Sequence, residues 1–244
     1  MQYDLLLLSS TDVFGMQPLE FAVDEVKEFL DVESTLLFIP YAKADYEGYT
    51  LGVQSILTPL GVTVEGIHTA PSPRQAVETA RVLFVGGGNS FRLLMALQEH
   101  DLLATVRARV EAGEMRYMGS SAGTNMACPS LRTTNDMPIV QPPSFEAFGL
   151  IPFQINPHYL DPDPHSTHQG ETRADRTEEF LEENDVPVLG MREGCWLRRR
   201  ASTLTLGGVT GARLFTRSAE PQEITPGTDL SWLLQTLPRF DWRG

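Results

Sequence analysis

The sequence predicts an α/β protein in which a mostly parallel sheet carries helices on both faces. Strand and helix patterns alternate regularly through the first half of the chain, which is typical of a parallel sheet. Tyr3–Ser9 and Thr35–Pro40 are continuous apolar runs, as expected of strands buried on both faces. The length of 244 residues and the hydrophobic share of 41% suit one large domain spanning residues 1–244.

In the first half, two helices are predicted by apolar residues recurring at spacings of three and four. The predicted order is a strand at Tyr3–Ser9, a helix bearing Leu19, Val23, Val26 and Leu30, a strand at Thr35–Pro40, a helix bearing Tyr49, Val53, Ile56 and Leu60, a strand at Val62–Ile67, a short helix within Pro71–Thr79, a strand at Arg81–Val85, helical structure from Phe91 to Val110 with a break near Asp101, and a strand at Arg116–Gly119. Gly61 fits the C-cap position of the second helix.

The second half of the chain is less regular. The predicted order is an irregular segment at Ser130–Phe148, a strand at Leu150–Asn156, a loop at Tyr159–Gly170, a helix at Thr172–Leu181, a strand at Val188–Met191, and short strands from Cys195 to Thr216 that suggest a hairpin edge. Thr172 and Asp175 have the spacing of a capping box. A long irregular segment inside a compact domain often carries function.

Composition and charge exclude several classes of function. The formal net charge is −13, and nucleic acids and anionic membranes both require a positive surface, so neither is an expected partner. Two cysteines do not make a disulfide framework. The apolar run Leu5–Leu8 is short and has no basic region before it, which indicates a buried strand rather than a signal peptide or membrane span. We therefore expect a cytoplasmic protein.

The strongest chemical signal is the pattern Gly119-x-Ser121-x-Gly123. It follows a predicted strand and precedes a predicted helix that runs from Ala122 to Cys128, before Pro129. This is the arrangement of a nucleophile elbow, in which a serine on a sharp turn projects from the end of the sheet. The turn Gly86–Asn89 follows the preceding strand. Because ligands bind beyond the carboxyl ends of parallel strands, we expect this turn to lie beside Ser121.

A serine nucleophile requires a base and an orienting acid. His158, which ends a predicted strand, is the candidate base. Glu193 follows the strand Val188–Met191 and is slightly favoured as the acid, because strand ends are rigid; Asp136 is the rival, and it would give the chain order of ordinary α/β-hydrolases. His165 and His168 could join His158 in a zinc site, but no cysteine or His-Glu helix motif accompanies them.

A larger set of motifs resembles the peptidase E family of α-aspartyl dipeptidases. These motifs occur in the order of that family and cover most of the chain from about residue 80 to residue 196. They are Gly86-Gly87-Gly88-Asn89, Gly119-x-Ser121-Ala122-Gly123, Arg132-Thr133-Thr134-Asn135-Asp136-Met137-Pro138, Gln154-Ile155-Asn156-Pro157-His158, Gly170-Glu171-Thr172-Arg173 and Glu193-Gly194.

The resemblance implies a fold like that of class I glutamine amidotransferases, with serine in place of their cysteine. It implies a catalytic triad of Ser121 as nucleophile, His158 as base and Glu193 as orienting acid. It also implies an oxyanion hole made by the backbone amides of Gly88 and Ala122, and hydrolysis of dipeptides with an N-terminal aspartate without metal or cofactor. Ser120 departs from the family, in which a larger residue, often tryptophan, is expected.

An aspartyl dipeptide carries one amine and two carboxylates, and the site must accommodate these charged groups. A protein of net charge −13 repels anions at long range, so a local arginine must bind the side-chain carboxylate. Arg173 is the first candidate and Arg132 the second. Asp136 or Glu171 could bind the amine. The expected partner is thus a small dipeptide substrate, and a homodimer is left open.

Two alternatives compete with a dipeptidase. A hydrolase of branched aspartyl polymers, like cyanophycinase, would need an open groove, whereas the proline-rich segments Pro138–Pro143 and Asp161–Pro164 are typical of walls around a small substrate. A non-catalytic binding protein on the same fold would not need the set Ser121, His158 and Glu193.

Overall fold

Two β-sheets organise the chain in the computed structural model, which describes residues 3–30, 35–165, 167 and 169–242. The strands are β1 (Asp4–Leu8), β2 (Thr35–Ile39), β3 (Thr63–Gly66), β4 (Val82–Val85), β5 (Arg116–Ser120), β6 (Gln154–Pro157), β7 (Val188–Met191), β8 (Cys195–Arg200), β9 (Thr203–Gly208), β10 (Ala212–Phe215) and β11 (Gln222–Ile224). The helices are α1 (Val23–Leu30), α2 (Tyr46–Leu57), α3 (Pro73–Thr79), α4 (Ser90–Glu99), α5 (Leu102–Glu111), α6 (Ala122–Ala127) and α7 (Arg173–Glu183).

The larger sheet has the strand order β3-β2-β4-β5-β1-β8-β9. Its first five strands are parallel, and β8 and β9 join antiparallel beside β1. The predicted α/β fold with a mostly parallel sheet is therefore confirmed. The smaller sheet has the order β11-β10-β7-β6, in which β6 and β7 are parallel neighbours.

Helices cover both faces of the larger sheet, as the apolar strands predict. In β1, Leu5 and Leu7 belong to the cluster that includes residues of α4, α5 and α6, while Leu6 and Leu8 belong to the cluster that includes residues of α1 and α2. All four leucine side chains are fully buried. A strand buried on both faces contributes apolar contacts at every residue, which is why β1 reads as an unbroken run of leucine.

Several local signals in the sequence mark element ends correctly. Asp101, at φ 52°, separates α4 from α5, and Gly61, at φ 83°, caps the short 3-10 turn that follows α2. Thr172 and Asp175 form the predicted capping box of α7, with each side chain bonded to the backbone of the other residue. The strand Val188–Met191 has the predicted bounds.

Two predictions about the second half differ from the structure. The strand expected at Leu150–Asn156 begins only at Gln154, because the amides of Leu150 and Ile151 turn back and donate to the carbonyl of Ala127 at the end of α6. The short strands after Cys195 form a hairpin only as far as β9. Beyond Gly208, which has φ 110°, β10 leaves the larger sheet and pairs with β7.

No helix in the described part of the chain is both long enough and apolar enough to cross a bilayer.

Candidate active site

Ser121 lies in a strained turn between β5 and α6. Its backbone has φ 53° and ψ −112°, a combination that non-glycine residues rarely adopt. A Cβ atom on Gly119 would lie 2.6 Å from the carbonyl oxygen of Gly123, and one on Gly123 would overlap the carbonyl oxygen of Val85. Both flanking positions therefore require glycine for a steric reason, as in a nucleophile elbow.

Hydrogen bonds from the neighbouring strands hold this turn in place. The Ser121 amide donates to the carbonyl of Leu8 at 3.1 Å, and the Thr124 hydroxyl donates to the same carbonyl at 2.6 Å. The buried Tyr117 hydroxyl donates to the carbonyl of Gly123 at 2.5 Å. The end of β1 is thus bonded to the turn that carries the candidate nucleophile.

His158 follows β6 and also has a left-handed backbone, at φ 51°. The fully buried Ser9 accepts a hydrogen bond from the His158 amide at 3.0 Å and donates its hydroxyl to the carbonyl of Met191 at 2.8 Å. The Tyr159 amide donates to the same carbonyl at 2.9 Å. Ser9 therefore joins the ends of β1, β6 and β7, which lie in two different sheets.

The structure brings Ser121, His158 and Glu193 into one hydrogen-bonded chain. His158 Nε2 lies 2.8 Å from Ser121 Oγ, and His158 Nδ1 lies 2.7 Å from Glu193 Oε1. In the tautomer with a proton on Nδ1, that nitrogen donates to Glu193 while Nε2 accepts from Ser121. This arrangement can remove a proton from the serine hydroxyl and stabilise the charge that the imidazole gains.

The turn Gly86–Asn89 packs against Ser121, which confirms the proximity expected from the strand order. A Cβ atom on Gly87 would lie 3.0 Å from the Ser121 Cβ. Gly88 has φ 134°, and a Cβ atom there would lie 2.6 Å from the carbonyl oxygen of Ala42. Ala122 is the first residue of α6, so its amide has no acceptor within the helix. Gly88, predicted for the oxyanion hole, thus follows the glycine that packs against Ser121, and Ala122 follows Ser121 itself.

Asp136, the rival acid, is bonded to the start of α4 rather than to His158. Its Oδ2 accepts from the Ser90 amide at 2.7 Å and from the Ser90 hydroxyl at 2.6 Å. The Asn89 side chain donates to the carbonyl of Met137 at 2.9 Å and caps α4 by accepting from the Arg92 amide. These bonds fasten the irregular segment after α6 to the turn that carries Gly88.

Arg173, the first residue of α7, faces this same region. Its half-buried guanidinium makes no hydrogen bond or ion pair with the residues that the structure describes. Burial lowers the pKa of Arg173 below its ordinary value and the neighbouring Arg176 lowers it further, while the negative charge of Asp136 opposes both. A half-buried guanidinium that forms no ion pair among the described residues can bind an anionic ligand.

Arg132 and Glu171 are already engaged elsewhere. Arg132 binds Asp241 with two hydrogen bonds, at 2.7 and 3.0 Å, and its guanidinium lies over the ring of Phe240. Glu171 accepts from Arg176 Nε at 3.3 Å on the exposed surface. Both charged groups are therefore already paired within the protein.

The remaining histidines form no cluster in the described residues. His68 pairs with Glu47 at 3.0 Å, and His100 stacks on Tyr41. His165 lies in the exposed loop after β6, and His168, the third member of the alternative zinc set, lies outside the described residues. Nowhere in the described ranges do three or more histidine, cysteine or acidic side chains come together as metal ligands.

A cavity of about 370 Å³, which the sequence does not predict, lies on one side of Ser121. Phe14, Lys43, Tyr49 and Asp12 line it together with residues of the site already described, namely Gly87, Gly88, Ser120, Ser121, His158 and Glu193. One signal could have found Lys43. It is one of only two lysines, and it follows the buried strand β2 at the same sheet edge as Ser121.

Comparisons with known proteins agree with this picture. A sequence model of peptidase family S51 matches residues 5–207. A protein named peptidase E from Streptomyces coelicolor is 56% identical over 238 residues, which cover 98% of each chain. A Drosophila melanogaster protein named probable alpha-aspartyl dipeptidase is 47% identical over 95% of this chain and 98% of its own.

A solved structure supports the fold alone. The crystal structure of a peptidase from an acI-B1 Actinobacterium superimposes with a TM-score of 0.65 at 17% identity, covering 94% of this chain and 97% of that one.

Proposed function

The chain belongs to peptidase family S51 and is a serine-type dipeptidase, and we propose that it hydrolyses dipeptides whose first residue is aspartate. The family match and the Streptomyces relative confirm the resemblance to peptidase E. The name of the Drosophila relative supports the preference for aspartate. The observation that carries the proposal is the chain of hydrogen bonds from Ser121 through His158 to Glu193, at 2.8 and 2.7 Å.

In the proposed mechanism, Ser121 Oγ attacks the peptide carbonyl while His158 Nε2 accepts its proton. The imidazolium then gives that proton to the leaving amine as the C–N bond breaks, which leaves an acyl-enzyme. Water, deprotonated in turn by His158, attacks the ester, and the imidazolium returns that proton to Ser121 Oγ as the ester bond breaks and aspartate is released. Glu193 holds the histidine tautomer and stabilises its positive charge throughout.

The developing negative charge on the carbonyl oxygen requires donors beside Ser121. We assign this role to the amides of Gly88 and Ala122. The contact between Gly87 and Ser121 supports the first, and the position of Ala122 at the start of α6 supports the second. Fixed backbone donors suit this purpose because they need no reorganisation during the reaction.

Arg173 is the proposed partner of the aspartate side-chain carboxylate. Its support is the half-buried guanidinium that lacks an ion pair among the described residues. Asp136 is the better candidate for the substrate amine, because it lies near Arg173 and next to the Gly88 turn, whereas Glu171 pairs with Arg176. Opposite charges at these two residues would match the amine and carboxylate of one aspartate.

A substrate panel tests the proposal. Purified protein is assayed on Asp-Leu, Asn-Leu, Glu-Leu and N-acetyl-Asp-Leu, with and without chelator, and Ser121→Ala serves as the control. We expect turnover of Asp-Leu only, unaffected by chelator. Equal rates on Asn-Leu or Glu-Leu would contradict aspartate selectivity. Cleavage of a branched aspartyl polymer without cleavage of Asp-Leu would favour the cyanophycinase-like alternative.

A further inference from the structure

The cavity beside Ser121 is separate from the residues proposed to bind aspartate. Ser121 and His158 line it, but Arg173 and Asp136 do not. A dipeptide has two parts that must lie on either side of the attacking oxygen, the acyl part and the leaving amino acid. If Arg173 and Asp136 bind the acyl part, the cavity is available to the leaving amino acid.

Lys43 is anchored against the turn that carries Gly88. Its amide donates to the carbonyl of Pro40 at 3.1 Å, and the carbonyl of the buried Ala42 accepts from the Asn89 amide at 3.0 Å. The backbone of Lys43 thus lies one residue from a fixed contact with the turn. The cavity wall here is the turn between β2 and α2, which is bonded to the Gly88 turn through Ala42 and Asn89.

The Lys43 ammonium lies over an aromatic ring that is itself fixed to the same turn. Lys43 Nζ is 4.0 Å from the centroid of the Tyr49 ring. Burial raises the pKa of the Tyr49 hydroxyl to about 12, despite a hydrogen bond from the backbone of Gly87. The tyrosine therefore stays neutral, and its ring face attracts the ammonium into the cavity.

Lys43 has no carboxylate partner within 4.0 Å in the described part of the chain. Asp12 also lines the cavity, but its carboxylate accepts from the Thr11 hydroxyl at 3.0 Å and makes no ion pair with Lys43. The exposed Lys43 therefore places an ammonium without an ion pair among the described residues at the cavity that Ser121 lines, in a chain of net charge −13 with only two lysines. It offers a local positive charge where the overall field repels anions.

We propose that this cavity binds the second residue of the dipeptide and that Lys43 pairs with its terminal carboxylate. The inference rests on the proposed function. His158 must protonate the leaving amine, so that amine lies where His158 and Ser121 meet the cavity. The carboxylate is joined to the amine through a single carbon atom, so it enters the same cavity. The fully exposed Phe14 ring offers an apolar contact for the side chain of this residue.

This pairing selects dipeptides over longer peptides. In a tripeptide, the position next to the leaving amine carries an amide rather than a carboxylate, so Lys43 has no anion to bind. Lys43 thereby favours substrates of two residues over longer peptides.

A matched pair of substrates tests the inference. Lys43→Met keeps much of the side-chain length and removes the charge. On Asp-Leu we expect kcat/KM to fall about tenfold or more, since a hydrogen bond to a charged group is lost. On Asp-leucinamide, which lacks the terminal carboxylate, the same change should have little effect. Lys27→Met, at the other lysine, on α1, is the control and should leave both substrates unchanged.

The outcomes separate this inference from the proposed function. Labelling of Ser121 by a sulfonyl fluoride should proceed at the wild-type rate in Lys43→Met, which shows that the nucleophile is intact. Lys43→Met could be labelled normally and still show the wild-type ratio of kcat/KM on Asp-Leu to kcat/KM on Asp-leucinamide. That result overturns the role of Lys43 while the dipeptidase function stands. If the wild-type protein cleaves neither substrate, the proposed function fails and the leaving-group site with it.

Discussion

At the scale of single residues, Ser121 combines the position of the proposed nucleophile with an unfavourable backbone conformation. Its dihedral angles, φ 53° and ψ −112°, impose strain of about 1–3 kcal/mol on a residue with a Cβ atom. Ser121→Gly should therefore abolish turnover and raise the free energy of unfolding by about 1 kcal/mol, because glycine tolerates this conformation. Ser121→Ala should abolish turnover without that gain. Activity assays and chemical denaturation measure the two effects.

Ser120→Ala is the matched control for these variants. Ser120 is the last residue of β5, and only Ser121 has glycines two residues away on both sides. We expect Ser120→Ala to keep turnover. If it were the inactive variant while Ser121→Ala stayed active, the register of the elbow would be wrong.

Glu193 and Asp136 can be separated by replacing each carboxylate with an amide. Glu193→Gln should lower turnover about a thousandfold or more, because the amide can favour the wrong imidazole tautomer. Asp136→Asn weakens the bonds to Ser90 and the proposed amine site, so it should mainly raise KM and lower stability. Steady-state kinetics at saturating substrate compare the two. The reverse pattern would assign Asp136 as the acid.

Arg173 determines selectivity for aspartate in our proposal, so the ratio of kcat/KM on Asp-Leu to kcat/KM on Asn-Leu tests its role. Arg173→Met should lower kcat/KM on Asp-Leu about tenfold to a hundredfold, and much less on Asn-Leu, which has no side-chain charge to pair. Arg176→Met, one turn away on the exposed surface, is the control. An unchanged ratio in folded Arg173→Met would show that another residue binds the aspartate side chain.

At the scale of elements, the site depends on Ser9, which joins three strand ends. Ser9→Ala removes the hydroxyl that accepts from His158 and donates to Met191. Leaving these buried backbone groups without partners should cost about 1–3 kcal/mol of folding free energy. Turnover and the rate of Ser121 labelling should fall together, because His158 loses its placement. Ser55→Ala, which loses an exposed hydroxyl on α2, should change neither.

Normal labelling of Ser121 in a destabilised Ser9→Ala protein would limit Ser9 to a structural role. Thermal unfolding and labelling kinetics on the same preparation distinguish the two results.

At the scale of the whole molecule, both cysteines lie in the interior. Burial raises the pKa of Cys128 and of Cys195 to about 12, so both thiols stay protonated at pH 8. Because the thiolate is the reactive form, iodoacetamide should leave the native enzyme active and unlabelled at that pH. Mass spectrometry should find both cysteines labelled after unfolding. Inactivation by labelling of the native protein would contradict their inertness.

The sequence by itself determined most elements of the first half and the turn that carries Ser121. Buried strands such as β1, the break at Asp101 and the capping box at Thr172 depend on apolar periodicity and on the dihedral preferences of a few adjacent residues. The elbow around Ser121 is equally local, since its two glycines lie within two residues of the serine. Patterns of this range can be read without knowing what the chain packs against.

Only the tertiary structure decided which distant side chains meet. Ser9 and His158 are 149 residues apart, and Glu193 reaches His158 because β7 pairs with β6. From the sequence, Glu193 was only slightly favoured over Asp136 as the acid, and Lys43 stood out only as one of two lysines. Contacts of this kind depend on strand order and register, which arise from the packing of the whole sheet and leave no periodic trace in the residues themselves.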